Sequence, residues 1–390
     1  MDDLYVAMVL GILIVLGSMV SVELGLSVAV IEIVLGVVAG NLFGIHPRPW
    51  LDFLASFASI VLTFLAGAEV DPDLLRAKFK QSALIGGVSF LAPFALVWAF
   101  AQFVLGWDLR AAQIAGVALS TTSLAVVYAV LVETGLTNAE IGKLIMASTF
   151  VTDFGTAGAL SLLFIQPTPW LVGFIVVSAA TIWAMPRLQP WFFGRYGDRV
   201  IEPEIKGAFA VLFVLMYFGA LADSHAVLPA FLLGLAVAKV FDQHREEQRR
   251  FRVVAFALLT PFFFLKGGMN ISVLAVLANL GLMLLLLALK LGAKVVGVYP
   301  LARRYMPREA WYTTLLMSTG LTFGTISSLY GLNAGIISQE QFSVLVTVVV
   351  LTAIVPTAIA QRWFTPHVRS ELAGTGGGPS EGTVHAAERA

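Results

Sequence analysis

The chain has 390 residues, 58% of them apolar and 12% charged, with equal numbers of acidic and basic side chains and a mean hydropathy of +0.89. Soluble domains carry about 25% charged residues, so this composition excludes a water-soluble globule, and a net charge of zero without a basic patch excludes a nucleic-acid partner. With no cysteine in the chain, disulfides, haem attachment and thiolate-held zinc are excluded, and no cofactor is expected.

The apolar residues come in blocks long enough to cross a hydrocarbon core, which takes ~20 residues of helix. They do not alternate polar with apolar as barrel strands do, so helices are the predicted spans. The first run follows Asp2 and Asp3, where a signal peptide would place positive charge, and it reads as a span. Thirteen segments follow in order, near 4–22, 25–45, 51–70, 81–105, 111–133, 139–165, 168–185, 207–223, 227–241, 252–268, 272–299, 309–332 and 340–363. The predicted fold class is therefore all-α and polytopic, with about 13 transmembrane helices in a domain over residues 1–365. Lys and Arg orient it. With the N-terminus outside, the inner loops hold Arg76, Lys78 and Lys80, then Arg187, Arg195, Arg199 and Lys206, then Arg245, Arg249 and Arg250, then Arg303, Arg304 and Arg308. Arg362 and Arg369 follow the last span, and the outer loops hold little beyond Arg48 and Arg110. This places the protein in a plasma (inner) membrane with its C-terminus in the cytoplasm. Residues 366–390 are expected to form a polar, Gly-rich, disordered tail.

Weak self-similarity recurs at an offset of about 198 to 200 residues: Leu119-Ser120-Thr121 with Met317-Ser318-Thr319, Leu35-Gly36 with Leu233-Gly234, and Phe64-Leu65-Ala66-Gly67 with Phe264-Leu265-Lys266-Gly267. The offset equals seven predicted spans, an odd number, which inverts the second copy. Inverted repeats over 25–165 and 207–363 are expected, with the site near the midplane at broken helices. Two equivalent spans carry the breaking signal. Ser120-Thr121-Thr122-Ser123 offers four consecutive hydroxyls that compete with helical hydrogen bonds. Ser318-Thr319-Gly320-Leu321-Thr322-Phe323-Gly324-Thr325 adds two glycines. If both helices unwind and cross, like half-helix ends face one another and need balancing charge.

Ionisable residues within a span are functional candidates because they are expensive there. Asp153 lies at the centre of Ile141–Gln166. A carboxylate in that position can hold either a proton or a hard cation, whose oxygen ligands would be Asp153, the Thr152 hydroxyl, and groups freed around Thr121, Thr122 and Ser123. Lys290 and Lys294 share one helix face; they are candidates to neutralise dipole ends or to pair with an acid, with snorkelling toward the inner surface the alternative, particularly for Lys294, and Ser318, Thr319 and Thr322 are further support. Glu32 sits inside the second predicted span, as an ion-pair partner or a funnel residue. Glu69 and Lys266 lie near span ends and read as ion-pair or interfacial groups. His46, His225, His244, His367 and His385 fall in loops or the tail, so no proton relay is assigned to histidine.

Val30-Ile31-Glu32-Ile33-Val34-Leu35-Gly36-Val37-Val38-Ala39-Gly40, Phe64-Leu65-Ala66-Gly67-Ala68-Glu69, Thr122-Ser123 through Val132-Glu133-Thr134-Gly135, Lys143 to Asp153, and Pro261-Phe262-Phe263-Phe264 with Gly267 occur in that order. Together they resemble the segments of the monovalent cation:proton antiporter 2 family, the bacterial sodium/proton and potassium/proton exchangers. The resemblance covers residues 25 to 360. It implies a thirteen-helix fold with a dimerisation domain and a mobile core domain, elevator-type alternating access, and a homodimer. Residue by residue, Asp153 matches the aspartate that binds cation and proton. Thr122 and Ser123 match the unwound crossing segment. Lys294, ahead of Gly297, best matches the basic residue of the core helix, with Lys290 the other choice. Electrogenic relatives carry two successive acids where this chain has Thr152 and Asp153, so the resemblance implies electroneutral exchange of one proton for one cation. Lys266 departs from the family pattern.

The expected activity is exchange of Na+, with K+ as the sibling choice, for H+ across a bilayer, without enzymatic chemistry. A sodium-coupled organic-anion symporter of related fold and a passive cation channel are the alternatives. The first would want a roomy apolar cavity and an Arg or a half-helix N-terminus for the anion, and no mid-span Arg is present.

Overall fold

The computed structural model describes residues 3–24, 27–70, 78–136, 139–165, 167–196, 199, 202–224, 226–243 and 245–366. Arg76, His225, His244, His367, His385, Arg369 and the expected tail from residue 367 lie outside the described residues, as do the side chains of Val132, Glu133 and Arg245. Every described element is helical. Among the described residues nine spans are long and apolar enough to cross a membrane, two of which, Leu109–Leu131 and Glu246–Met269, run over consecutive helical elements, and Val28–Asn41 and Val227–Phe241 are shorter apolar helices. The protein is a multi-pass, all-α membrane protein.

In chain order the helices are α1 Asp3–Leu24, α2 Val28–Asn41, α3 Pro49–Ala68, α4 Phe79–Phe103, α5 Leu109–Ser120, α6 Leu124–Glu133, α7 Glu140–Leu163, α8 Trp170–Tyr196, α9 Pro203–Leu221, α10 Val227–Gln243, α11 Arg245–Val254, a π-turn Ala255–Leu259, α12 Thr260–Met269, α13 Val273–Ala278, α14 Leu280–Tyr305, α15 Ala310–Met317, α16 Thr322–Asn333 and α17 Gln339–Trp363. Each of the thirteen predicted segments falls on helix. The boundaries differ most at α8, which continues through Pro186 and Pro190 to Tyr196. Arg187 and Arg195, expected in a loop, stand on that helix, and the Arg187 guanidinium lies 4.3 Å from the centre of the Trp183 ring.

Glycines let the helices that frame the site approach to backbone contact. In lipid there is no hydrophobic drive between helices, so small residues carry close packing. A Cβ added at Gly36 of α2 would collide with the Leu265 carbonyl of α12, and one at Gly268 with the Ile33 carbonyl. The same arrangement joins α3 to α10: a Cβ on Gly67 would meet the Phe231 carbonyl, and one on Gly234 the Phe64 carbonyl. Gly86 of α4 lies equally close to the Ser148 carbonyl of α7. The π-turn precedes Pro261, whose ring would crowd the carbonyl four residues back in a regular helix. The wide turn relieves this, and the Thr260 hydroxyl donates to the Ala255 carbonyl at 3.0 Å.

Two ion pairs tie the ends of α3. At its start Asp52 meets Lys266 of α12 at 2.8 Å, and just past its end Glu69 meets Arg252 of α11 at 2.8 Å. Glu69 and Lys266 are thus ion-pair residues, each with its own partner. Lys78 with Glu140 and Arg250 with Glu202 form further pairs.

Candidate functional site

Two helices stop in mid-course and restart. The backbone of Thr121, Thr122 and Ser123 separates α5 from α6, and that of Ser318 to Leu321 separates α15 from α16. The breaks lie against each other. The Thr122 hydroxyl donates to the Met317 carbonyl at 2.9 Å, and the Ser123 amide donates to the Thr319 hydroxyl at 3.3 Å. The hydroxyl clusters therefore perform the function their sequence signalled: they satisfy backbone groups that unwinding leaves without helical partners. Ser318 and Thr319 donate to the carbonyls of Thr314 and Leu316, at 2.7 and 2.8 Å, and Thr121 donates to Ala118 at 3.2 Å.

The four half-helix ends meet opposite charges. Asp153, 1% exposed on α7, faces a cavity of about 80 Å³ whose lining includes Leu124 and Ala125 at the start of α6 and Leu321, Thr322 and Phe323 at the start of α16. Helix starts carry unsatisfied N–H groups and positive partial charge. Lys290, fully buried on α14, sits at the stopping ends of α5 and α15. A Cβ added at Gly320 would collide with its ammonium and lie 2.8 Å from the Thr121 hydroxyl. Its Nζ donates to Thr352 of α17 at 2.9 Å. Lys294, one turn on and also buried, donates to Ser89 of α4 at 2.7 Å and to Thr122 at 3.0 Å. Its field reaches Asp153, yet no ion pair joins the two. Asp153 Oδ1 is buried without a hydrogen-bond partner.

The predicted site residues therefore divide. Asp153 and Thr322 share the cavity. Thr121, Thr122, Ser123, Ser318 and Thr319 form the crossing itself. Both lysines lie at the crossing, each on its own hydroxyl partners. Thr152 turns away: its hydroxyl is within 3.2 Å of the Gly86 carbonyl and 3.1 Å of the Ser148 carbonyl, and it joins α7 to α4. Glu32 is buried against Gly17 of α1 and is absent from the cavity wall. Glu69 does line the cavity, so the Arg252-bound carboxylate stands on the same space as Asp153. Thr260, the first residue of α12, joins them. Ser89 and Thr352, the hydroxyls that receive the lysines, were missed from sequence: each is an isolated hydroxyl flanked by apolar residues, with other hydroxyls on the same helix, and far along the chain from its partner. Their only signal was polarity within a span.

A helical membrane protein with a buried, unpaired carboxylate at crossed half-helices is, by class, a secondary ion transporter. The model of the family described as "Sodium/hydrogen exchanger, transmembrane" matches residues 9–365, and the chain belongs to this family. It is 25% identical to the probable Na(+)/H(+) antiporter 3 of Methanocaldococcus jannaschii, over 87% of this chain and 89% of that protein. It is 23% identical to the Na(+)/H(+)-K(+) antiporter GerN of Bacillus cereus, over 88% of this chain and 92% of that protein. The solved structure of the sodium proton antiporter MjNhaP1 from Methanocaldococcus jannaschii at pH 8 shares the fold, with a TM-score of 0.69 and 15% identity over 94% of this chain and all of that one. These relatives carry the names of antiporters and not of enzymes.

Proposed function

We propose that this protein exchanges Na+, or K+ as the second choice, for H+ across the plasma (inner) membrane, one for one and without net charge movement. One observation carries the reading: among the described residues, Asp153 lines the cavity at the helix crossing and its Oδ1 is buried without a hydrogen-bond partner. A cation bound there would draw on the Asp153 carboxylate and the Thr322 hydroxyl of the same wall. A proton on Asp153 neutralises the same charge, so cation and proton compete. An empty carboxylate is costly to carry through an apolar interface, which couples the two fluxes. The lysines hold fixed positions on hydroxyls and stabilise the helix ends. With Thr152 in place of a second acid, a single group titrates in each cycle.

Elevator-type alternating access and a homodimer are part of this proposal. So are inverted repeats over 25–165 and 207–363. The repeats are supported by the matched glycine packing of α2 on α12 and α3 on α10, and by the paired breaks about 200 residues apart. An orientation with the N-terminus outside is supported by the basic residues of α11, where Arg252 pairs with Glu69 just past the end of α3 and Arg250 with Glu202 just before α9.

The test is dissipation of an imposed pH gradient in proteoliposomes on adding Na+, K+ or Li+. Collapse by one of these cations is expected. If folded protein ignores all three, antiport is contradicted.

A further inference from the structure

The cavity at the helix crossing carries two acids on its wall, Asp153 and Glu69, and among the described residues that line it no other side chain is charged. The two acids are placed differently. Asp153 is 1% exposed on α7. The Glu69 side chain, just past the end of α3, is 26% exposed, and the Arg252 side chain that pairs with it at 2.8 Å is 42% exposed. The ion pair therefore stands on the wet side of the space and Asp153 on the dry side. The elements around the pair fit a mouth. Ser27 and Val28 at the start of α2 share the wall with Glu69, and so does Phe256 of the π-turn, one turn beyond Arg252. Gln248, one turn before Arg252, donates to the Ala68 carbonyl at 3.4 Å and holds α11 against the end of α3.

We propose that Arg252 sets how tightly the exchanger takes up its cation, by cancelling the charge of Glu69 at the mouth of the Asp153 cavity. This rests on the exchange reading above and adds two positioning residues to it. A free carboxylate at the mouth would gather cations and hold them both on the way to Asp153 and on the way back. A free guanidinium in the same place would repel them. With the pair intact, two opposite charges 2.8 Å apart nearly cancel at the distance of an approaching ion, and the cation meets one free acid instead of two. Removing either partner alone must therefore move the affinity in opposite directions. Loss of a purely structural pair would move both variants the same way. A pair this exposed contributes little to stability, so the variants should fold.

The test is the half-maximal Na+ concentration for dissipating a pH gradient in proteoliposomes, with Na+ binding to the purified full chain measured by calorimetry beside it. Arg252→Gln should lower that concentration and Glu69→Gln should raise it, each roughly two- to tenfold, the order that one unit charge exerts near a protein surface. The double variant Glu69→Gln with Arg252→Gln should return close to the parent, and Arg252→Lys, which keeps the charge, should match it. Added inert salt should shrink both single-variant shifts. The same ranking in calorimetry from a parent that moves no protons would sink the exchange reading and leave this one standing. Active exchange with shifts of one sign in both single variants, or with no shift in either, would overturn this proposal and leave exchange intact. A double variant no closer to the parent than the single ones would overturn it as well.

Discussion

The two sides of the helix crossing are built from the same materials and finished differently. On the Asp153 side, two helix starts face a cavity and a carboxylate oxygen has no partner. On the lysine side, two helix stops face ammonium groups that are hydrogen-bonded to hydroxyls and closed in by packing. A charge that must be exchanged needs space and an unfilled valence, whereas one that only balances dipoles needs neither. The contrast supports the proposal that the acid carries the exchange and the lysines support the helix ends.

The comparison can be broken most severely at Asp153. Asp153→Asn keeps the shape and removes the charge, so exchange in proteoliposomes should fall to background while the protein folds normally. Retained exchange would move the chemistry elsewhere. Gly67→Ala and Gly234→Ala should act on the frame. Each added methyl meets a backbone carbonyl that cannot move alone, and overpacking of this kind costs typically ~1–3 kcal/mol or more, seen as a lower melting temperature in detergent. Lys290→Met should cost about 1.5–3 kcal/mol, the range for a hydrogen bond to a charged group, because it strips Thr352 of its donor and the α5 and α15 ends of their counter-charge. If Lys290→Met instead abolished exchange without loss of stability, the supporting role would fail. Ser89→Ala should be milder, near ~1 kcal/mol, since Thr122 still receives Lys294. The smallest effect belongs to the surface. The hydrogen bond and charge of Lys78 hold the Glu140 carboxyl below its usual range. A lowered folded pKa contributes stability above the ordinary carboxylate range, and that stability is lost as pH falls through the folded value. Melting curves of Glu140→Gln and the parent should therefore differ slightly at neutral pH and converge in acid, with salt shrinking the gap.

Much of this was legible from residues alone. Four hydroxyls in a row have few uses inside a span other than satisfying an unwound backbone, so the break at Thr121 to Ser123 was readable. A lone aspartate in mid-span was equally conspicuous. Thr152 misled because adjacency in sequence is not adjacency in space: successive helical residues point about 100° apart, and Thr152 faces α4 while Asp153 faces the cavity. The same limit hid Ser89 and Thr352, whose roles exist only once α14 lies between α4 and α17. Asp52 was hidden as the partner of Lys266 because 214 residues separate them along the chain. The extension of α8 past Pro186 was hidden by the ordinary rule that proline ends a helix.

The central claim is that one carboxylate serves both ions and no net charge crosses. The direct measurement is the rate of cation-driven proton movement in proteoliposomes with the membrane potential clamped at different values. A rate unchanged by the clamp is predicted. A rate that follows the potential would mean that a second charge moves in each cycle, and the single-acid account would be wrong.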